Sequence, residues 1–401
     1  MMPASKDAQA ITVSVVVATY NRADYLAKAL DSLLAQTRPP DEVLVIDDGS
    51  SDATPDLLAA YGSRIRCIRQ TNSGKPAALN RAIPQARGTH VWIFDDDDYA
   101  LPHALATHVR FLEDRPDLDF CYSHNFTFDG DGDITDAARW RTPVAPNYRA
   151  ESLLLHLMRD CTLVFQGLLV RRQCLVDLSL FDETLGRAED YDMLLRLARH
   201  YRGGFTGDQT FVWRNHGGER GSASERHSNA ERTRLFRQYE RIIFKRVRER
   251  LELSEYVGHQ GADGPSLRVD GLIQRADIMF RHDLIDEGAS DIEQVLAELE
   301  GRPDAARVAA VRAVITRAAD IGDPVFVVGA GHRARQLAHA IRGRYRRDCA
   351  SAAGKGFYWS ARRALRQHRH RDAVRLAAAM PQFMWSLVAE LRVSSNPGSR
   401  L

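Results

Sequence analysis

The sequence predicts an α/β protein: a mostly parallel sheet with helices on both faces, followed by a mainly helical C-terminal region. Three observations predict it. Apolar strand patterns alternate with helical ones from Thr12 to about residue 113, as in βαβ units joined by right-handed crossovers. Four aspartates, Asp95 to Asp98, directly follow the apolar run Val91-Trp92-Ile93-Phe94. That places carboxylates at the carboxyl end of a buried strand, where open α/β sheets bind ligands. After about residue 225 the strand patterns give way to long helical ones.

The elements follow in order. Thr12 to Val17 is a Val-rich strand ending at Ala18-Thr19-Tyr20-Asn21-Arg22. Leu26, Ala29, Leu30, Leu33 and Leu34 recur at helical spacing, and Pro39-Pro40 stops that helix. Glu42 to Ile46 is a second strand, ending in Asp47-Asp48-Gly49-Ser50-Ser51-Asp52. Thr54 to Tyr61 is a helix, with Pro55 acceptable in its first turn. Arg64 to Arg69 is a short third strand, Asn72 to Pro76 a loop, and Ala77 to Ala86 a helix leading to the strand before the four aspartates. Beyond them the patterns give a helix at 102–113, a strand from Asp119 to His124, a helix at 151–160 and a strand from Thr162 to Val170. A further helix is opened by Gly186 to Asp192, and a last strand runs from Phe211 to Arg214. Asp129 to Asp133 reads as a polar hairpin turn rather than a calcium loop, because Trp140 stands where an EF-hand needs its twelfth-position glutamate. Helices follow at 229–252, 269–281, 286–299, 304–319 and about 358–380, interrupted by one strand-like run, Pro324 to Val328. Ala276 to Leu299 and Ala361 to Met380 have the small-residue look of tetratricopeptide helix pairs but fall short of a repeat period.

At 401 residues the chain has room for two or three domains. Its net charge of +2 gives no reason to expect nucleic acid as a partner. The five cysteines are scattered and lack CxxC spacing, which favours free thiols in a reducing compartment over a disulfide framework or zinc site. Met1 to Ala10 has no apolar stretch of the signal-peptide kind and is expected to be a disordered lead-in. No run reaches the roughly 18 apolar residues of a membrane span. The expectation is a cytoplasmic protein, with peripheral contact at the inner face of a membrane left open.

Four adjacent carboxylates repel one another unless a cation neutralises them. Hard oxygen donors suit Mg²⁺ or Mn²⁺, which keep waters and bridge to a substrate's phosphates. The plain alternative is a solvated acidic turn that caps the next helix.

Five pieces occur in a telling order: Val15-Val16-Val17-Ala18-Thr19-Tyr20-Asn21-Arg22, then Glu42 to Asp52, then Asn72-Ser73-Gly74-Lys75, then Asp95-x-Asp97, then Glu189-Asp190-Tyr191-Asp192. Together they resemble the inverting family 2 glycosyltransferases of the GT-A fold, over roughly residues 11–220. Ala18 stands where that family most often has proline. The resemblance implies a glycosyltransferase domain over 11–225 and leaves 226–401 as a mainly helical region of unknown role. It implies a nucleotide site at the first strand's end, with Thr19 there, Tyr20 near the base, and Asn21 and Arg22 bordering the pocket. Asp48 would accept from base or ribose, and Lys75 would contact the diphosphate. Asp97 would bind a Mn²⁺ or Mg²⁺ ion, with Asp95 and Asp96 toward the ribose or water. Since all four positions are aspartate, Asp96 and Asp98 could form the pair instead. Asp190 would be the general base, Glu189 and Asp192 would orient it or hold acceptor hydroxyls, and His216 would touch phosphate or metal. The donor would be a UDP-, dTDP- or GDP-linked sugar, and the acceptor a saccharide or lipid-linked hydroxyl in surface polysaccharide or glycoconjugate assembly. Tyr20 as a half-buried loop aromatic, Asp48 and Asp190 as caps, and Lys75 and His216 as surface groups are the plainer readings of each residue alone.

Two features of the C-terminal region stand apart. Val327-Val328-Gly329-Ala330-Gly331, with Ala334, resembles the start of a dinucleotide fingerprint, but Arg342 to Arg347 is charged where a second apolar strand should stand. Arg342 to Arg347 and Arg362 to Arg371 are basic clusters without interleaved aromatic platforms; they could meet anionic lipid head groups, or be solvated helix faces, and the helices could bind assembly partners. A metal-dependent nucleotidyltransferase is the competing enzyme reading, although it would want a glycine-rich, basic loop after the first strand. The other is an inactive scaffold of a polysaccharide-assembly complex.

Overall fold

The computed structural model describes residues 10–143, 152–215, 229–258, 265–301, 304–320, 346–367, 369–379 and 381. His216, the run Pro324 to Val328 and the Gly329-Ala330-Gly331 turn lie outside the described residues. The chain divides into two compact units, Met1–Tyr239 and Glu240–Leu401.

The first unit is built on one sheet of eight strands: β1 Val13–Thr19, β2 Glu42–Asp47, β3 Arg66–Arg69, β4 His90–Asp95, β5 Tyr99–Ala100, β6 Phe120–Asp129, β7 Leu168–Arg171 and β8 Gly203–Asn215. Their spatial order is β3-β2-β1-β4-β7-β6-β8-β5. β1 is central to the parallel half, pairing with β2 on one side and β4 on the other. Val13, Val15, Val16 and Val17 are each 0% exposed, as expected of a strand covered on both faces, whose sequence is a continuous apolar run rather than an alternating one. The crossovers are α1 (Ala23–Leu34), α2 (Thr54–Ala60) and α3 (Lys75–Ala82). Leu26, Leu30 and Leu33 of α1 pack with Val15, Val17, Trp92 and Phe94 in one core.

The sheet is mostly parallel, as expected, and its second half is mixed. β7 runs antiparallel between β4 and β6, and β5 pairs antiparallel with β8, while β6 and β8 are parallel. Hydrophobic periodicity says that a segment is a strand, not which way it runs, so the mixed sheet was not readable from it. Three boundaries also moved. β6 runs on to Asp129 through a register shift near Ser123. β8 begins at Gly203, eight residues before the apolar run Phe211 to Arg214. Glycine disguises that start, because a Cβ on Gly203 would lie 2.3 Å from the Phe120 ring. The expected strand Thr162 to Val170 is a short 3-10 turn, Phe165–Gly167, followed by β7 alone. There the backbone serves the interior instead of a ladder: Trp92 Nε1 donates to the Gln166 carbonyl at 2.8 Å. The remaining helices of this unit are α4 (Ala104–Glu113), α5 (Leu153–Arg159), α6 (Arg172–Asp177) and α7 (Glu189–His200).

The expected domain boundary at 225/226 precedes a single helix, α8 (Asn229–Arg250), and the division between units falls within that helix. The second unit continues with α9 (Pro265–Arg281), α10 (Ile285–Gly301), α11 (Ala305–Ala319) and α12 (Arg346–Arg366), plus a helical segment at 370–379. Its core gathers Leu272, Ile273, Val295, Leu296, Val311, Ile315 and Phe357. The buried Asp291 carboxylate is shared by Arg248 and Arg275, which ties α8, α9 and α10 together. Ala276 to Leu299 is indeed a helix pair, turning at Asp283, whose φ is +58°. No described helix is long and apolar enough to cross a membrane.

Candidate functional site

Parallel pairing brings the strand ends level. Thr19 pairs with Asp47 and Ala18 with Asp95, so the turns leaving β1, β2 and β4 emerge side by side. They form one wall of a cleft of about 560 Å³, whose lining includes Thr19, Tyr20, Arg22, Asp48, Lys75 and Asp95 to Asp97 on one side and Glu189 and Asp190 on the other.

Asp48 organises the loop between β3 and α3. Its Oδ1 accepts from Gln70 Nε2 at 2.8 Å and from the Ser73 N–H at 2.9 Å, and its Oδ2 accepts from the Gly74 N–H at 2.8 Å. The loop so held delivers Lys75 as the first residue of α3, a position where the helix dipole disfavours a cation. Carboxylates of the site compensate. Lys75 Nζ is 2.5 Å from Asp95 Oδ1. Burial works against its charge, but Asp95, Glu189 and Asp190 together hold its proton affinity well above that of an ordinary lysine.

The four aspartates separate into different roles. Asp95, Asp97 and Asp98 each offer a carboxylate oxygen, all within 4.8 Å of one another. Asp96 lies outside that group. Burial and the Asp97 charge push Asp96 up to about 7, against the pull of Arg22. Asp98 is 1% exposed. Its Oδ1 accepts from the Arg214 N–H at 2.8 Å and its Oδ2 from Gln166 Nε2 at 2.7 Å. Arg214 Nε also donates to the Asp97 carbonyl at 3.0 Å. Asp98 therefore anchors the turn, and Asp95 with Asp97 face the cleft. Pairing Asp96 with Asp98 is not what the fold brings together. The donor set suits a hard divalent cation, with Asp95 and Asp97 lining the cleft and an oxygen of Asp98 beside theirs.

Across the cleft, Ala188 takes a left-handed turn at φ +61° and α7 begins with Glu189 and Asp190. Burial and the Asp190 charge push Glu189 up to about 7. Burial also raises Asp190, with Lys75 pulling it back down. Lys75 thus couples the acidic turn to this pair.

Two expected site residues are placed otherwise. Asn21 stands at φ +51°, its N–H donating to Ser50 Oγ at 2.9 Å and its Oδ1 accepting the Ser51 N–H at 2.8 Å. It braces the 50–52 turn and is not among the lining residues. Asp192 is 8% exposed and pairs with Arg196 at 2.6 Å; Arg196 also binds the Leu178 and Leu180 carbonyls. Its carboxylate pins that turn rather than holding an acceptor. His216 lies outside the described residues. Conversely, Gln166, Arg214, Trp213, Phe236 and Tyr239 were not singled out from sequence. Gln166 and Arg214 did leave a trace, as lone polar groups in or at the end of apolar runs.

Comparison with known proteins bears on family and fold. The sequence profile of Glycosyl transferase family 2 matches residues 14–171. That span contains β1, β2, β4 and the acidic turn. Residues 14–171 form a family 2 glycosyltransferase domain. An "uncharacterized glycosyltransferase" of Rickettsia typhi is 30% identical over 196 residues, which is 47% of this chain and 58% of that protein. A chondroitin synthase of Pasteurella multocida is 32% identical over 191 residues, 46% of this chain and 19% of that one. The chain thus spans less than two thirds of the length of these relatives. Among solved structures, residues 1–349 of S. aureus TarS in complex with UDP-GlcNAc align with a TM-score of 0.51 at 19% identity, covering 89% of this chain and 92% of that one. At that identity the likeness is one of fold, the GT-A fold. The family match ends at the last residue of β7, so Glu189, Asp190 and β8, which complete the cleft, lie beyond it.

Proposed function

We propose that the chain transfers a sugar from a nucleoside diphosphate donor to a hydroxyl acceptor, with a divalent cation and with inversion at the anomeric carbon. The observation that carries this reading is the meeting of two acidic groups in one cleft, Asp95 and Asp97 at the end of β4 and Glu189 and Asp190 at the start of α7, with Lys75 between them. Tyr20, Arg22 and Asp48 border the nucleotide end, with Thr19 and Asp96 beside them. Asp95 and Asp97 would hold Mn²⁺ or Mg²⁺, which supplies charge stabilisation to the departing diphosphate. Lys75 adds a second cation on that side. Asp190 takes the proton of the acceptor hydroxyl as its oxygen attacks, and burial, with the Asp95 charge, raises its proton affinity for that work. The likeness to a chondroitin synthase supports a saccharide acceptor and a place in polysaccharide assembly; a lipid-linked saccharide would serve equally.

The test needs no acceptor. Purified protein is incubated with UDP-, dTDP- and GDP-linked sugars and Mn²⁺, and sugar released to water is followed by NMR. One donor class should be hydrolysed, with the first-formed sugar of inverted configuration; no turnover of any donor, or retention, would contradict the reading.

The pair also sets a pH dependence. A base whose proton affinity is raised is disabled as pH falls, so kcat/KM should climb with pH through a midpoint above the ordinary aspartate range. Lys75→Met removes the cation that holds Asp190 down and should move the midpoint to higher pH. An unshifted profile in that variant would show that Lys75 does not act on the base.

A further inference from the structure

α12 has two opposed faces. Ala352, Ala353, Phe357, Ser360 and Ala364 are buried. Lys355, Tyr358, Trp359, Arg362, Leu365 and Arg366 are exposed. At 100° per residue these six fall within a sector of about 120°. Tyr358 is 50% exposed, Trp359 48% and Leu365 52%. The two rings meet edge-on at 5.4 Å, and the Arg362 guanidinium lies over Trp359 at 5.4 Å. From Cys349 to Arg371 the sequence has no aspartate or glutamate and carries Lys355, Arg362, Arg363, Arg366, Arg369 and Arg371. Arg363 turns aside to Asp320 at 2.7 Å. The following helical segment repeats the chemistry, with Val374 69% exposed beside Arg371 and Arg375. The basic cluster therefore has an aromatic platform after all, one turn before it.

We propose that this face docks on the surface of an anionic lipid bilayer. Large apolar side chains left in water are unfavourable and mark an interaction surface. A protein partner would call for an apolar centre with charges at its rim, since interface centres are depleted in charge and in lysine. Here the three cations hold the middle of the sector, with Leu365 and Tyr358 at one edge and Trp359 at the other. That mixture is the chemistry of an interfacial helix: Tyr and Trp rings sit at head-group level, a leucine enters the acyl boundary, and arginines meet lipid phosphates. The opposite face is part of the unit's own core, so the helix docks as a face of a folded body and does not insert. The inference stands apart from the reaction proposed above.

Flotation of the full chain with vesicles tests it. The protein should float with vesicles of phosphatidylcholine mixed with phosphatidylglycerol, not with phosphatidylcholine alone, and should be released by high salt. Arg362→Gln with Arg366→Gln should weaken partitioning by roughly fivefold per arginine. Tyr358→Ala with Trp359→Ala should weaken it at unchanged net charge. All four side chains are exposed, so circular dichroism and the thermal midpoint should not move. Arg110→Gln, on α4 with 85% of its side chain exposed, should leave flotation unchanged. Absence of flotation, equal flotation with neutral vesicles, or equal loss in Arg110→Gln would overturn the proposal. So would a dimer in solution that Trp359→Ala dissociates without any vesicle binding, which would make the face a contact between copies.

Discussion

Asp190→Asn is expected to lower transfer by roughly 10²–10⁴-fold, the usual worth of a positioned general base, while leaving donor affinity intact. Asparagine matches aspartate in size and keeps a side-chain oxygen to accept the Tyr191 N–H, now 2.8 Å from Asp190 Oδ1. The start of α7 should therefore survive, and only the proton acceptor is lost. On the proposed reading donor affinity rests on the other wall, on Asp95, Asp97 and the loop held by Asp48. Single-turnover transfer and calorimetric donor binding, measured on the same preparation, separate the two effects. Glu189 adjoins Asp190 in the cleft and could take its place, so Glu189→Gln and the double variant belong in the series. Transfer within a few-fold of the parent in the double variant would remove the base from this pair.

Asp97→Ala should abolish the metal dependence of donor binding, weakening it in Mn²⁺ by at least roughly 100-fold, since even partners outside the ligand set are typically worth 10–100-fold. Asp97 is 5% exposed and converges with Asp95 and Asp98. The Asp97 carbonyl, which Arg214 Nε contacts, is untouched by the substitution, so the turn keeps its main-chain anchor. Adding chelator should weaken the parent and leave the variant unchanged. Unaltered affinity in Mn²⁺, or a chelator effect that persists, would place the cation elsewhere. Asp98 is the necessary contrast, because its carboxylate holds the Arg214 N–H and Gln166 and its loss should act on folding before it acts on the metal.

The parallel half of the sheet and its motifs were legible because both depend on local pattern. A strand buried on both faces writes itself as an unbroken apolar run, and a ligand site at its end writes itself as a polar turn immediately after. Asp95 and Asp97 were singled out in that way, and Asp190 through the family resemblance. What stayed hidden depends on partners far along the chain. Gln166 reaches Asp98 across 68 residues and Arg214 across 116, and neither separation leaves a periodic mark. Asn21 and Asp192 were assigned to the site because they adjoin motif residues, whereas φ +51° at one and the Arg196 ion pair at the other turn them to structural work. Gly203 hid the start of β8 by lacking the side chain that strand patterns count. Trp359 was overlooked beside the basic cluster because exposure, not spacing, distinguishes a docking face from a core face of one helix.

Thermal denaturation of the parent protein with a panel of nucleotide sugars, in Mn²⁺ and then in excess chelator, tests the central claim most directly. A ligand at about 100 times its Kd stabilises the native state by about 2.7 kcal/mol, or several degrees in midpoint. At least one donor should raise the midpoint in Mn²⁺ and lose that effect in chelator. No shift with any donor, or a shift that chelator leaves unchanged, would contradict a metal–nucleotide site at the end of β4.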